Sequence, residues 1–465
     1  MTDVNTILAE ADKALDQSLD RLFDLVRIPS ISTDPAYKED CRRAAERIVA
    51  DLSGLGFSAA LRDTPGHPMV VAHFEPKGAT GKVPHFLFYG HYDVQPPDPL
   101  DKWMTPPFQP EKRTGKDGIV RLYGRGTADD KGQLMTFIEA MRAWITTTGT
   151  LPLKATILIE GEEESGSPSL IPFLKQNRGE LSCDAAFVCD TNMWDEKTPA
   201  ITTRLRGMVK DEITITGPRV DLHSGAYGGP AANPIRILSR LLSKLHDKNG
   251  KVTIPGFYEG VSDLPKEVKV QWQKLKFSDR KFLREVGLSV PAGEKGKGAL
   301  EQVWARPTAE VNGIWGGYMG AGTKTVIPSQ AHAKLTFRLV GKQKPEKILK
   351  AFRAFAKAEV PKDCRIDFAA YGSGSPASEI AETSPLIRKS AKALKDEFGR
   401  DTALIGSGGS IPIVRYFKDI LGMDSVLIGF GLNDDALHSP NEKYNLSSFH
   451  RGIRSWVRIL AALAR

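Results

Sequence analysis

The chain has 465 residues, 41% of them hydrophobic and 26% charged, with a formal net charge of +8. That length exceeds what one hydrophobic core usually supports, so two domains are expected, and the composition is that of a soluble globular protein. The positive balance does not single out a nucleic-acid binder. Lysines and arginines are scattered among acids, even Lys295 and Lys297 stand beside Glu294, and no RNA- or DNA-binding motif accompanies them. The four cysteines, Cys41, Cys183, Cys189 and Cys364, form no Cys-x-x-Cys pair and read as reduced core residues of a cytoplasmic protein. Met1-Thr-Asp-Val-Asn opens with neither a basic nor an apolar stretch, so no signal peptide is expected. No apolar run nears the roughly 20 residues of a membrane span.

In chain order, Leu8, Leu15, Leu19, Leu22 and Val26 recur at helical spacing and predict a helix over 5–26, ending before Pro29. A second helix is predicted over 38–55, stopping at Gly56. Short strands at 58–61 and 69–74 follow, then the apolar run Pro84-His-Phe-Leu-Phe-Tyr-Gly90, a buried strand. Residues 94–118 form a Pro- and Gly-rich loop of a length that is usually functional. A short strand at 122–124, a helix over 131–144, a strand over 153–160, a helix over 167–176 and a strand over 185–190 complete this part. Strands alternating with helices predict an α/β fold with a mostly parallel sheet covered on both faces.

After about Arg204 the pattern changes. Residues 209–216 and 331–340 alternate apolar and polar side chains, helices are predicted over 234–245 and 345–358, and a strand over 365–370. That order suits a small α+β domain whose antiparallel sheet keeps one solvated face. Within it, residues 250–310 are rich in Lys, Gly and Pro and read as an insertion. From Pro385 the earlier style returns: a helix over 385–397, the turn Ser407-Gly-Gly-Ser-Ile-Pro412, a strand over 426–430 and a helix over 447–463. The expected division is a catalytic domain in two parts, 1–205 and 382–465, interrupted by an inserted domain over 206–381.

Candidate chemistry collects at predicted strand ends, where α/β proteins place their sites. His91 and Asp93, two residues apart, face one side. Asp129 and Asp130 stand between a strand and a helix, Glu162, Glu163 and Glu164 just after a strand, Asp190 at the end of another, and His438 in a loop after the strand over 426–430. Each has an ordinary alternative. Asp129 or Asp130 can cap the next helix, the three glutamates can be a solvated helix start, Asp190 can cap a turn, and His438 can be a surface imidazole. Together they weigh differently. Three consecutive acids after a buried strand repel one another unless a cation or solvent relieves them. Two histidines and several carboxylates converging on one rim suit two divalent ions sharing a carboxylate. Oxygen and nitrogen donors without thiolate suit Zn2+, Mn2+ or Co2+.

The stretches Gly90-His-Tyr-Asp-Val-Gln-Pro96, Gly124-Arg-Gly-Thr-Ala-Asp-Asp-Lys-Gly132, Glu160-Gly-Glu-Glu-Glu-Ser-Gly-Ser167, Val188-Cys-Asp190 and His438-Ser-Pro-Asn-Glu442 span nearly the whole chain. In these the chain resembles the co-catalytic dinuclear metallopeptidases that include carnosinase, carboxypeptidase G, aminoacylase and succinyl-diaminopimelate desuccinylase. It is most similar to the carnosinase-like dipeptidases, through Asp221-Leu-His-Ser-Gly-Ala-Tyr-Gly-Gly229, Lys324-Thr-Val-Ile-Pro328, Phe337-Arg-Leu339 and Gly408-Gly-Ser-Ile-Pro412, with the 250–310 insertion.

The resemblance implies that His91 and Asp190 hold one metal, Glu164 and His438 the other, and that Asp129 bridges them. It implies that Asp93 orients His91 and that a metal-bridging hydroxide attacks the amide with Glu163 as general base. Glu162 is then expected to be a solvated neighbour and Asp130 to stand behind the ligands. His223 would stabilise the oxyanion in the partner subunit's active site, and Thr325, Arg338 and Ser410 would hold the substrate's carboxylate. The implied protein is a cytoplasmic dipeptidase with two divalent ions, zinc first, that pairs as a homodimer through the inserted lid domain and binds neither nucleic acid nor membrane. The alternatives are a deacylase, desuccinylase or carboxypeptidase acting on N-acyl amino acids, or a non-catalytic peptide-binding protein on the same fold.

Overall fold

The computed structural model describes residues 3–464 apart from 77, 79–82, 370, 371, 373 and 410. The chain forms two compact units, Met1–Thr203 with Ile380–Ile405 and Tyr416–Arg465, and Arg204–Glu379 with Gly406–Arg415. No helix among the described residues is long and apolar enough to cross a membrane.

The first unit is built on a large sheet whose strands run in the order Ser58–Arg62, Met69–Phe74, Lys154–Glu160, His85–His91, Ala185–Val188, Ser425–Leu427 and Ala200–Leu205. The four central strands are parallel. The flanking pairs are antiparallel. Residues 86–90 are apolar throughout because the central strand is covered on both faces. Successive side chains point to opposite sides. Phe88 meets Trp456, Phe137 and Phe187, whereas its neighbour Tyr89 meets Phe417. The helices Lys131–Thr148 and Leu446–Leu463 pack together, joined by Val4–Lys13 and Pro385–Phe398. This is the α/β fold expected from the alternating elements.

Several elements differ in detail from the expectation, and the loop expected over 94–118 holds a short strand, Glu111–Thr114, paired with Val120–Tyr123. The helix predicted over 5–26 is two, Val4–Lys13 and Leu15–Val26, because Ala14 leaves helical geometry with ψ 4°. The break lets both apolar stripes reach the core, Ile7, Leu8 and Ala11 from one helix and Leu19, Leu22, Leu25 and Val26 from the other. The helix at 131 runs on to Thr148 and stops at Gly149, whose φ of 73° is the left-handed cap that glycine adopts without strain. The strand over 426–430 is only Ser425–Leu427.

The second unit holds a four-stranded antiparallel sheet in the order Thr308–Gly316, Gln330–Leu339, Gly207–Thr216 and Arg365–Phe368. Burial alternates along Gly207–Thr216, and the buried side chains face the helices Pro234–Ser243 and Pro345–Ala358. Both helices open with proline, whose missing N–H costs nothing in a first turn. Residues 250–310, expected as an insertion, contain three short helices, Lys266–Lys274, Asp279–Glu285 and Ala299–Ala305. Leu264, Val268, Trp272 and Ala305 give this stretch a small core of its own.

Candidate metal centre

The central strands of the first unit end along one edge, and the loops that leave that edge carry the acids and imidazoles. His91 is the last residue of His85–His91, in register with Glu160 of the neighbouring strand. Glu163 and Glu164 lie in the single turn Glu163–Ser165 that follows. Asp190 lies two residues beyond Ala185–Val188, Asp129 just before Lys131–Thr148, and His438 in the loop after Ser425–Leu427.

Two triads result. His91, Asp129 and Asp190 offer ligand-type atoms within 4.8 Å of one another, and so do Asp129, Glu164 and His438. Asp129 belongs to both. Its Oδ1 lies 3.2 Å from Nε2 of His91 and its Oδ2 lies 3.0 Å from Nε2 of His438. Nε2 of His438 is also 3.4 Å from Oε2 of Glu164, and Nε2 of His91 is 3.9 Å from Oδ2 of Asp190. His91 is 1% exposed while the His438 ring is 55% exposed, so the centre has a closed side and an open one.

Asp93 stands behind His91. The imidazole's Nδ1 is 3.1 Å from the carbonyl oxygen of Asp93 and 3.4 Å from its Oδ1, which turns Nε2 toward the triads. Asp93 is itself fixed by Ser32 Oγ at 2.6 Å and by the amides of Glu163 at 3.2 Å and Glu164 at 3.0 Å. It therefore ties the strand end to the glutamate turn. Asp130 accepts the amide of His91 at 3.1 Å and joins neither triad.

The electrostatics of the cluster call for added positive charge. Burial opposes a charged His91, yet the carboxylates of Asp129 and Asp93 outweigh it and push its pKa well above the imidazole range. Asp129 and Glu164 push His438 up to about 10. Burial raises the carboxyl of Asp190, with Asp129 adding to it. Burial also raises Glu163; His91 opposes the shift and Glu164 adds to it. Asp190 and Glu163 thus favour their protons, while against burial the imidazoles of His438 and His91 hold Asp129 below the usual carboxylate range, and a divalent cation can take the place of those protons. Oε1 of Glu164 is buried with no hydrogen-bond partner among the described residues. Such an orphaned atom is costly unless something binds it. The donor set thus fits divalent metal.

Glu162 is corrected by the structure. Expected as a solvated neighbour, it is 2% exposed. Its two oxygens accept the amides of His67 and Ser169, both at 2.9 Å, so it stitches the turn to a loop 95 residues away. Three further residues hold the centre and were given no part from sequence: Ser32, which donates to Asp93; Gln95, which donates to Oε2 of Glu164 at 2.8 Å; and Glu442. Gln95 and Glu442 do lie inside the motif stretches, which is the signal that could have found them.

The remaining site candidates belong to the second unit. His223 ends the two-residue strand Leu222–His223, paired with Val326. Its Nδ1 accepts the amide of Gly225 at 3.0 Å. Thr325 adjoins that ladder, its carbonyl accepting the amide of Ser224 at 3.0 Å. Arg338 lies on Gln330–Leu339 opposite Met208 and Thr308, half-buried, and burial lowers its pKa. Ser410 lies outside the described residues.

Known proteins resemble the chain along most of its length. The family model for peptidase family M20/M25/M40 matches residues 87–462. The chain is 30% identical over 480 residues to the Cys-Gly metallodipeptidase DUG1 of Saccharomyces cerevisiae, covering 98% of this chain and 97% of that protein. It is 28% identical over 470 residues to the human Beta-Ala-His dipeptidase, covering 97% and 90%. Among solved structures, human carnosine dipeptidase 1 matches with a TM-score of 0.79 and 26% identity, over 99% of this chain and 98% of that one. The metallo-carboxypeptidase Sso-CP2 of Sulfolobus solfataricus matches with a TM-score of 0.80 and 28% identity, over 96% and 99%. The resemblance carried by the motifs is borne out at full length, and the chain belongs to peptidase family M20/M25/M40.

Proposed function

We propose that this metallodipeptidase holds two divalent ions in its first unit, His91 and Asp190 on one, Glu164 and His438 on the other, with Asp129 shared. The observation that carries the reading is Asp129, one carboxylate facing both imidazoles and common to both triads. Zinc is the proposed native ion, and the same donors suit manganese and cobalt. Bound there, two divalent ions supply Lewis acidity toward the scissile carbonyl and a water acidic enough to lose a proton near neutral pH.

The chain's own groups do the rest. Asp93 keeps the His91 ring aimed. Glu163 lies in the turn that carries Glu164, its amide on Asp93, and joins neither triad. It accepts the proton of the attacking water and passes it to the leaving amine as the C–N bond breaks. Its raised pKa suits a group that must both take and give a proton. Glu163→Ala should retain two ions per chain by elemental analysis and lose about 10²–10⁴ in kcat. A variant with near-normal kcat would sink the role.

Substrate recognition is assigned to the second unit. With Nδ1 of His223 accepting from Gly225, the neutral ring carries its proton on Nε2, a donor suited to the oxyanion of a partner subunit's substrate. Thr325, Arg338 and Ser410 bind the substrate's terminal carboxylate. Arg338 has no carboxylate partner among the described residues, which leaves its planar fork for an anion. A homodimer forms through the second unit, where Thr308–Gly316 is an edge strand with Val311 and Ile314 exposed. The four cysteines are all free, which supports a cytoplasmic place.

A carboxypeptidase reading is favoured by one observation, the likeness to Sso-CP2. Metal-reconstituted protein incubated with dipeptides, longer peptides and N-acyl amino acids, and read by mass spectrometry, separates the two. Hydrolysis confined to dipeptides supports the first reading. Stepwise trimming of longer peptides from the C-terminus supports the second.

A further inference from the structure

Glu442 has no part in the chemistry above, yet its side chain is completely buried and both oxygens are engaged. Oε1 accepts the amides of Ala128 at 2.8 Å and Asp129 at 3.0 Å. Oε2 accepts the amide of Gly126 at 2.9 Å and Nη1 of Arg125 at 2.7 Å. Three of these four donors are backbone groups of the turn that presents Asp129. A buried carboxylate is costly unless matched, and here one guanidinium and three amides match it.

The loop that carries Glu442 is the loop that carries His438, four residues earlier. His438 and Asn441 have φ of 58° and 65°, a left-handed backbone that non-glycine residues keep only when their surroundings impose it. The surroundings do so from several sides. Asn441 accepts the amide of Met104 at 2.7 Å and donates to the carbonyl of Lys102 at 2.8 Å. Lys443 is paired with Asp435 at 2.6 Å. The carbonyl of Glu442 accepts the amide of Gly124 at 3.1 Å. One residue therefore joins two loops more than 300 positions apart in the chain, each bearing a proposed ligand.

We propose that Glu442 is a positioning residue for the metal centre: it fixes the 126–129 turn to the His438 loop, so that Asp129 and His438 are set at their spacing before an ion binds. The proposal rests on the ligand assignment above. Because Asp129 is shared, a shift of the turn disturbs both ions rather than one. Residues that orient metal ligands from behind typically matter by one to two orders of magnitude in affinity.

The test uses the full-length chain titrated with Co2+, read by its visible absorption bands and by competition with a chelator. Glu442→Gln keeps the size of the side chain but puts an NH2 against backbone N–H groups that need an acceptor. The expected result is a cooperative melt, altered Co2+ bands and about 10–100-fold weaker binding of both ions. At saturating metal, kcat falls while KM stays near the wild-type value. A folded variant with unchanged bands and affinity overturns the proposal. If Glu442→Gln and Glu442→Asp both fail to fold, amide hydrogen exchange in the metal-free wild type decides. Protection at Gly126, Ala128 and Asp129 supports a clamp formed in advance, and exchange at the rate of an open loop overturns it. Wild-type chain that binds no Co2+ is a different failure, that of the ligand assignment itself.

Discussion

In the first unit His91, Glu164 and Asp129 are held by their neighbours. Asp93 takes a hydroxyl and two amides, Glu164 takes the amide of Gln95, and the turn bearing Asp129 hangs on Glu442. In the second unit His223 lies exposed on a two-residue ladder with exposed Thr325 next to it, and Arg338 has no carboxylate partner among the described residues. The contrast separates a half of the proposed function that is built in advance from one completed on binding. Metal-binding groups must converge within a few ångströms, so they sit on strand ends locked by buried hydrogen bonds. Groups that recognise a substrate can sit on small elements and be completed by what they bind. Changes in the first unit should therefore alter metal content or the chemical step, and changes in the second should leave the metal alone.

The comparison breaks most sharply at Asp129. Asp129→Ala should lose both ions and all measurable turnover while keeping a folded chain. Retention of one full equivalent of metal would show that the carboxylate is not shared. His223→Ala should keep both ions and lose about 10²–10³ in kcat, the usual cost of one oxyanion donor. Mixing it with Glu163→Ala should restore part of the activity if the histidine works across the dimer; a mixture as dead as its components places the histidine within its own subunit.

Asp93→Asn gives a smaller effect in the first unit, about 10–100-fold weaker metal binding with a site that still fills at high metal. An empty site at saturating metal would make Asp93 a ligand rather than an orienter. The smallest effect is graded with pH. His438 holds its proton up to about 10 in the metal-free chain, and a ligand must lose its proton to bind. Ion affinity should therefore rise with pH below about 10 and fall on acidification. Calorimetry in buffers of different ionisation enthalpy should record protons released on binding; no release would contradict the geometry around Asp129.

Much of the first unit was legible in the sequence because its rules are local. The run ending at Gly90 has no polar face, so it reads as a buried strand, and the period of two puts His91 and Asp93 on one side. Acids just past strands recur at 129, 163, 164 and 190, where α/β sheets open their sites. What was not legible depends on distant partners. Glu162 looks like one of three solvated acids, and only the amides of His67 and Ser169 explain its burial. The break at Ala14 and the small core within residues 250–310 likewise depend on what packs against them.

Hydrophobic period and turn chemistry act over a few residues, so the kinds of donors, their order and the strands that end in them can be read along the chain. The motifs already imply Asp129 as the shared carboxylate, but folding brings it to both imidazoles and ties the loops beneath them through Glu442. The order of strands in the sheet brings His91 and Asp190 to the same edge, and no spacing along the chain encodes the 3.0 Å between Asp129 and His438.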